Sequence, residues 1–130
     1  MNKKEIQNRD DVSLLVRSFY AKVRKDAVLG PIFNGIITDW ESHLELLTDF
    51  WETQFFLKKR KYHGNPIEAH NDVDDKMNGG VTPEHFGLWL NLWFETIDDL
   101  FIGDTAFTAK NRARQMNTML YMKMFEHRKK

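Results

Sequence analysis

Hydrophobic residues return every three to four positions in four long segments of the chain, with polar residues between them. This spacing is typical of amphipathic α-helices, and no segment shows the two-residue alternation of a half-buried strand. Each long segment also starts at a helix-initiating residue. The first predicted helix begins after Asp10 or Asp11 and runs to about Asp26, and the second begins at the Thr38–Glu41 capping box and runs to about Leu57. The third begins at Thr82-Pro83, and the fourth begins at Gly103-Asp104. The pattern predicts an all-α protein, with a further short turn at Pro31.

The stretch from residue 58 to 82 interrupts this pattern, because it is polar and much longer than the usual connection in a helical bundle. Within it, Asn65 can cap a short helical turn, Pro66 suits the first position, and Glu68 lies three residues after the cap. The predicted turn ends at His70 and is followed by the acidic run NDVDDKMNGG, expected to be flexible. A long connection in a compact domain is usually disordered or functional, and the histidine favours a function.

Composition narrows the class of protein. A chain of 130 residues with 42% apolar residues fits one domain, residues 1–130, with residues 1–9 and 126–130 expected to be flexible. Nineteen basic and nineteen acidic residues cancel, which argues against nucleic acid or an anionic membrane as partner. The absence of cysteine, of a signal segment and of a membrane-length apolar run predicts a soluble cytoplasmic protein. The 13% aromatic content indicates a dense core or a core that encloses a flat molecule.

The five histidines are the main candidates for chemistry. His63, His85 and His127 occur in a loop, in a first helical turn and in the charged tail, and are expected at the surface. His43 lies on the inward side of its helix, where the pattern by itself favours an ordinary buried core histidine, and His70 is ambiguous by itself. The sequence has no HExxH zinc motif, no GxSxG nucleophile motif, no glycine-rich phosphate loop and no complete EF-hand loop. Hydrolase and transferase chemistry is therefore not supported.

One inward histidine, many aromatic residues and no thiols together suit a haem. The macrocycle is flat and apolar, and its iron takes a neutral imidazole on one side. The second ring nitrogen of such a ligand commonly donates a hydrogen bond to a backbone carbonyl. The carbonyls of Pro66 and Ile67, one turn before His70, are suitably placed for this bond.

Several segments in fixed order also resemble the group III truncated haemoglobins, over about residues 10 to 125. They are FYAKVRKDAVLGPIF (19–33), DW-SHL (39–44), FW (50–51), Y-GNP---H (62–70) and EHFGLWLNLW (84–93). The resemblance implies a truncated globin fold: two pairs of antiparallel helices enclose haem b, and the helix that carries the proximal ligand is reduced to about one turn.

The resemblance also implies a role for each residue of the haem site. His70 is the proximal iron ligand, Tyr20 and Trp89 are hydrogen-bond donors on the distal side, and His43 lies at the distal gate. The remaining contacts are Phe19, Phe33, Leu47, Phe50 and Trp51 on the distal side, Ile67, Phe86 and Trp93 on the proximal face or rim, and Tyr62 at a propionate. The acidic run after His70 departs from the family, where this stretch tends to be apolar with proline. The propionate partners therefore stay open, with Lys76, Arg60 or Lys61 as candidates.

A dioxygen-binding globin with a pentacoordinate iron is the function that the resemblance implies, including possible oxygen transport. Tyrosine O–H and indole N–H groups both donate hydrogen bonds, and a bound diatomic ligand carries partial negative charge. One hydrogen bond to a charged group is worth roughly 1.5–3 kcal/mol, or about a ten- to hundredfold change in release rate. Slow release favours chemistry on the ligand over delivery, so nitric oxide dioxygenase or peroxidase-like activity with an unknown reductase stays open. A haem-free helical interaction module is the third alternative, and a monomer is expected.

Overall fold

Six α-helices make up the described part of the chain in a computed structural model, which describes residues 3–56, 66–77 and 79–128. The helices are α1 (Arg9–Lys25), α2 (Leu29–Ile36), α3 (Trp40–Phe56), α4 (Pro66–Lys76), α5 (Pro83–Leu100) and α6 (Asp104–Arg128). Helix α1 packs against α2, α3 and α5, whereas α6 packs against α4 and α5. The architecture confirms the all-α prediction. No helix in the described ranges is long and apolar enough to cross a membrane.

The first and third helices begin at residues other than those predicted. Helix α1 is capped by Asn8, whose side-chain oxygen accepts the Asp11 backbone N–H at 3.0 Å. The carboxylate of Asp11 instead accepts the backbone N–H of Gln7 at 2.9 Å. Helix α3 is capped by Asp39, which accepts the Ser42 backbone N–H at 3.1 Å. The capping box predicted one residue earlier is therefore wrong, because an aspartate oxygen reaches this N–H group.

Helix α5 begins at the predicted Thr82-Pro83 step. The Thr82 hydroxyl accepts the His85 backbone N–H at 3.3 Å, and the Thr82 N–H donates to His85 Nδ1 at 3.0 Å. This is a capping box in which histidine replaces the usual glutamate or glutamine. His85 therefore has a structural role at the helix start.

Helix α4 is longer than predicted, with eleven residues in place of one turn. His70 consequently lies in the middle of the helix, and residues 71–76 are helical, so the predicted flexible acidic run is wrong for this segment. The helix ends where Gly79, at φ 74°, donates its N–H to the Asp74 carbonyl at 2.8 Å. A glycine with positive φ at this position is the common C-terminal cap of a helix.

The side chain of Asp74 explains why an acidic segment is ordered. It is 1% exposed, accepts the Val81 N–H at 3.0 Å, and forms two hydrogen bonds with the Arg128 guanidinium at 2.6 and 2.7 Å. Arg128 also donates to the Val81 carbonyl. This interaction joins α4, the loop before α5 and the end of α6. Arg128 belongs to the stretch 126–130 that was expected to be flexible, and here its guanidinium binds Asp74 while the residue stays exposed.

We expect Arg128→Met to lower the free energy of unfolding by about 1–3 kcal/mol, because a buried carboxylate loses its charged partner. The guanidinium holds the pKa of Asp74 below its usual range. Because this pKa is lower in the folded state, the Asp74 carboxylate stabilises the fold at any pH above its unfolded-state pKa of about 3.9. This stabilisation is lost as the pH falls through the folded-state pKa. Urea denaturation between neutral and acid pH measures both effects, with Arg112→Met on exposed α6 surface as control. Equal losses of unfolding free energy in Arg128→Met and Arg112→Met would contradict the stabilising role given to the Arg128–Asp74 contact.

Residues 4–6 of the N-terminal segment pack on the helices, whereas residues 1–2 of the stretch 1–9 that was expected to be flexible lie outside the described residues. Ile6 is 1% exposed, and the Lys4 carbonyl accepts the Ile102 N–H at 2.9 Å. The Glu5 carboxylate accepts the first two backbone N–H groups of α6 at 3.0 and 2.9 Å. A side chain distant in sequence thus satisfies the donors at this helix start, which local sequence patterns cannot reveal.

Gly103→Ala should weaken this junction by about 1–3 kcal/mol. Gly103 has φ 109°, and a Cβ atom there would lie 2.1 Å from a Glu5 carboxylate oxygen. Gly35→Ala is the matched control, since its Cβ would meet nothing within 4 Å. Gly35 is the penultimate residue of α2, so this change should be neutral or stabilising by up to about 1 kcal/mol. Urea unfolding of both variants provides the comparison, and a neutral Gly103→Ala would refute the proposed crowding.

The apolar faces predicted for α1 and α6 form the core. The buried residues of these faces are Val12, Leu15, Val16, Phe19, Val23, Ala106, Ala109, Ala113, Leu120 and Met124. The small alanines allow α5 to approach α6, and the Trp93 indole donates to the Ala109 carbonyl at 3.1 Å. A charged contact also joins α1 to α3, because Arg9 binds Asp49 at 2.6 Å and the buried Glu52 at 3.0 Å.

Candidate functional site

A cavity of about 410 Å³ lies between the helices and is lined by residues from all six. Its walls are mainly aliphatic and aromatic. Of the residues predicted from sequence to form a site, those that line it are Phe19, Tyr20, Phe33, His43, Leu47, Phe50, Trp51, His70, Phe86 and Trp89. The cavity therefore brings together side chains that are up to seventy positions apart in the chain.

His70 is held in one tautomer by its own helix. Its Nδ1 atom is 2.7 Å from the Pro66 carbonyl oxygen, one of the two acceptors predicted. A carbonyl only accepts hydrogen bonds, so Nδ1 carries the hydrogen and Nε2 keeps its lone pair. Burial lowers the pKa of His70, with the Pro66 bond acting in the opposite direction. The imidazole is accordingly neutral near pH 7, which is the form that binds a metal.

Tyr20 is 7% exposed and is enclosed by aromatic rings. The ring centroids of Phe19, His43 and Phe33 lie 4.7, 5.4 and 5.9 Å from its own. Burial raises the pKa of the Tyr20 phenol, and a hydrogen bond from the Trp89 side chain lowers it in part. The phenol therefore keeps its proton at neutral pH. The protonated phenol can donate its O–H to an acceptor in the cavity.

His43 is half-buried between Tyr20 and Trp40, whose ring centroids lie 5.4 and 5.6 Å away. Its Nε2 atom is buried and has no hydrogen-bond partner in the described structure. Burial also lowers the pKa of His43, so the ring is neutral near pH 7. Trp40 received no site role from the sequence; it lies beside the cavity, and the Arg24 guanidinium covers its ring at 4.5 Å.

Two residues predicted for the site, Trp93 and Ile67, do not line the cavity among the described residues. Trp93 lies behind the wall, where it stacks on Trp51 at 4.7 Å and on Trp89 at 6.0 Å. Ile67 points to a second hydrophobic cluster that includes Phe86, so its predicted haem contact is not supported. Tyr62 lies outside the described residues, as do Arg60, Lys61 and His63.

The sequence also missed part of the lining. Helix α2 contributes Leu29, Ile32 and Ile36, and α6 contributes Met116, Asn117, Leu120 and Met124. The α6 residues were predicted only as core. The apolar composition of α2 gave a signal for burial, but nothing in it distinguished a cavity wall from a packed core. His127, by contrast, is at the surface as predicted, 3.1 Å from Asp75.

The residues of the cavity fit a haem better than a protein-ligated metal ion. Within the described ranges, no group of three or more His, Asp or Glu side chains could hold a metal. A haem iron receives four nitrogen ligands from the macrocycle, so one neutral imidazole such as His70 is sufficient protein ligation. The flat aromatic walls suit the macrocycle, and the unpartnered Nε2 of His43 lies buried at the cavity.

Comparisons with known proteins agree with this arrangement. No family model matches the sequence. The chain is 31% identical over 125 residues to the group 3 truncated hemoglobin ctb of Campylobacter jejuni, covering 90% of this chain and 94% of that protein. The crystal structure of a group III truncated hemoglobin from Campylobacter jejuni superposes with a TM-score of 0.79 at 30% identity, covering 92% of both chains. By identity, coverage and fold, this chain belongs to the group III truncated haemoglobins, a family of haem-binding globins.

Proposed function

We propose that this protein binds dioxygen and other diatomic ligands reversibly at a pentacoordinate haem iron, and that it releases them slowly. One observation carries the proposal: a neutral His70 imidazole and a Tyr20–Trp89 pair of donors line the same cavity. The neutral imidazole is the protein ligand that a haem iron needs, and the two hydrogen-bond donors suit the partial negative charge of a bound diatomic ligand. Neither feature alone separates a haem site from an ordinary helical core.

His70 is the proposed proximal ligand. The bound haem supplies an iron with one coordination position open to a small ligand. The bond from Nδ1 to Pro66 fixes the orientation of the imidazole ring and directs Nε2 away from the backbone of α4. Phe86 lies parallel to the ring, with a centroid separation of 6.1 Å and an interplanar angle of 20°. These two contacts limit rotation of the imidazole.

Tyr20 and Trp89 are the proposed donors to the bound ligand. The buried phenol keeps its proton because its pKa is raised, and an indole can only donate. Two donors in a site with apolar walls act at low dielectric, where a hydrogen bond is stronger than in water. Slow release suits retention of the ligand or reaction with it better than oxygen delivery, so we do not extend the proposal to oxygen transport.

Absorption spectra of the reduced protein test this proposal. The ligand-free ferrous form should show a five-coordinate spectrum, and oxygen should convert it to a stable complex that reverts when oxygen is removed. A six-coordinate spectrum without ligand, abolished by His43→Leu, would show that His43 binds the iron and would contradict the pentacoordinate proposal. Protein that stays colourless after haem supplementation would instead favour the haem-free interaction module.

Peroxide or nitric oxide chemistry is the second candidate, favoured by the state of His43. The neutral His43 imidazole has an unpartnered nitrogen, and its ring centroid lies 5.4 Å from that of Tyr20. Such a nitrogen can accept and return a proton, as peroxide chemistry requires. His43→Leu should then slow reaction with hydrogen peroxide while oxygen binding persists. For nitric oxide, the oxygenated protein is mixed with nitric oxide in the presence of a reductase. Decay of one equivalent without sustained turnover would exclude a dioxygenase.

A further inference from the structure

The polar side chains of the cavity wall fall into two groups. Apart from His70, one group is Tyr20, His43 and Trp89, in which the Tyr20 and His43 ring centroids lie 5.4 Å apart. The second group consists of Asp72, Lys76, His85 and Asn117, on helices α4, α5 and α6. Helix α2, in contrast, presents only apolar side chains to the cavity. A charged group of a bound molecule would therefore be stabilised at the second group and destabilised at α2.

We propose that Lys76 and His85 form a subsite for a carboxylate of the bound porphyrin, with Asp72 as an opposing charge at its margin. The inference rests on the proposed function, because it requires the haem to occupy this cavity. Haem b carries two carboxylates side by side at one edge of an otherwise apolar macrocycle. The sequence left Lys76, Arg60 and Lys61 open as partners of the carboxylates. Lys76 lines the cavity, whereas Arg60 and Lys61 lie outside the described residues.

Lys76 supplies the positive charge. It is the only Lys or Arg side chain among the described residues that line the cavity, and it is exposed. Asp72 lies one turn earlier on the same helix and also lines the cavity, yet the structure shows no ion pair for Lys76 among the described residues. Asp72 and Lys76 both line the cavity and are both exposed, so their charges lie where the cavity meets solvent.

His85 supplies a neutral donor. Its Nδ1 accepts the Thr82 N–H at 3.0 Å, so this nitrogen cannot carry a proton. In the neutral ring, the hydrogen is therefore on Nε2, where it is available to an acceptor. A carboxylate only accepts hydrogen bonds. The helix cap thus selects the tautomer that can bind a carboxylate, in the same way that Pro66 selects the tautomer of His70.

The rate of haem loss from the ferric holoprotein to an excess of a scavenging apoglobin tests the proposal. Haem and haem dimethyl ester, which lacks the negative charges, are compared in each variant. An exposed ion pair predicts that Lys76→Met accelerates loss of haem by about 1.5- to 5-fold and leaves loss of the ester unchanged. Lys76→Arg should behave as wild type. Lys110→Met is the matched control, since Lys110 contacts Asp98 and Phe94 and does not line the cavity.

Two further variants test the sign of the charge effect. Asp72→Asn removes the opposing carboxylate and should slow loss of haem, but not of the ester. His85→Glu keeps an acceptor for the Thr82 N–H, as in the usual capping box, and places a negative charge at the subsite. It should therefore accelerate loss of haem more than loss of the ester. High salt should reduce all of these differences.

The outcomes separate this inference from the proposed function. If Lys76→Met changes both porphyrins equally, or neither, the carboxylate subsite is refuted while haem binding stands. If His85→Glu accelerates both equally, His85 acts through packing and is not part of the subsite. If the wild-type protein retains neither porphyrin, the proposed function itself fails.

Discussion

His70→Ala protein, purified and supplemented with haem in the same way as the wild type, should lack the Soret absorption band. The wild-type protein should show this band strongly. His43 and His85 also line the cavity, but His43 lies on α3 beside Tyr20 and His85 is held in the capping box of α5. Removal of His70 therefore leaves the proposed proximal position without an imidazole. The fold should persist, because His70 makes its recorded hydrogen bond only to Pro66 of its own helix.

Chemical rescue distinguishes loss of a ligand from loss of the fold. His70→Gly protein should recover the Soret band when imidazole is added, because free imidazole can occupy the vacated space. His127→Ala is the control for a surface histidine, since His127 pairs with Asp75 and does not line the cavity. Far-ultraviolet circular dichroism should show unchanged helix content in all variants. A His70→Ala protein with a full Soret band and wild-type helix content would be incompatible with proximal ligation.

Tyr20→Phe should increase the dissociation rate of oxygen by at least about tenfold, because the bound ligand loses a donor in a site of low dielectric. Trp89→Phe should also increase it. Both side chains line the same cavity and would donate to the same bound ligand, so their effects should not add. Stopped-flow displacement of oxygen by carbon monoxide measures these rates for both single variants and for the double variant.

Tyr121→Phe provides the matched control for loss of a phenol. Tyr121 packs against Phe86 at 5.4 Å between ring centroids and does not line the cavity, so the oxygen dissociation rate should be unchanged. An unchanged rate in Tyr20→Phe would show that this hydroxyl does not contact the ligand. Additive effects in the double variant would show that Trp89 acts directly on the ligand and independently of Tyr20.

Helical periodicity predicted most of the fold because burial follows the local pattern in amphipathic helices. The inward positions of α1 and α6 and the start of α5 were correct. The predictions failed where a distant group completes the local structure. Asp74 orders the acidic end of α4 through Arg128, and Glu5 caps α6 from about a hundred residues away. No window of neighbouring residues contains both partners of such contacts.

The candidate site depended on the sequence in two different ways. The helical pattern placed His43 on an inward face and His70 at the end of a short predicted turn, but it could not show that the two histidines share a cavity. The resemblance to a family supplied the pairing of Tyr20 with Trp89, and the structure places both side chains in the lining of one cavity. The lining residues of α2 and the position of Trp93 behind Trp51 depend on how helices pack, which periodicity does not specify.

The bond between His70 and the haem iron can be observed by resonance Raman spectroscopy of the ferrous protein without added ligand. The wild-type protein should show an iron–imidazole stretching band that shifts when its histidines carry ¹⁵N. In His70→Gly protein rescued with imidazole, the band should shift only when the added imidazole carries the isotope. A band in the rescued protein that responds to labelled histidine and not to labelled imidazole would show that another residue binds the iron.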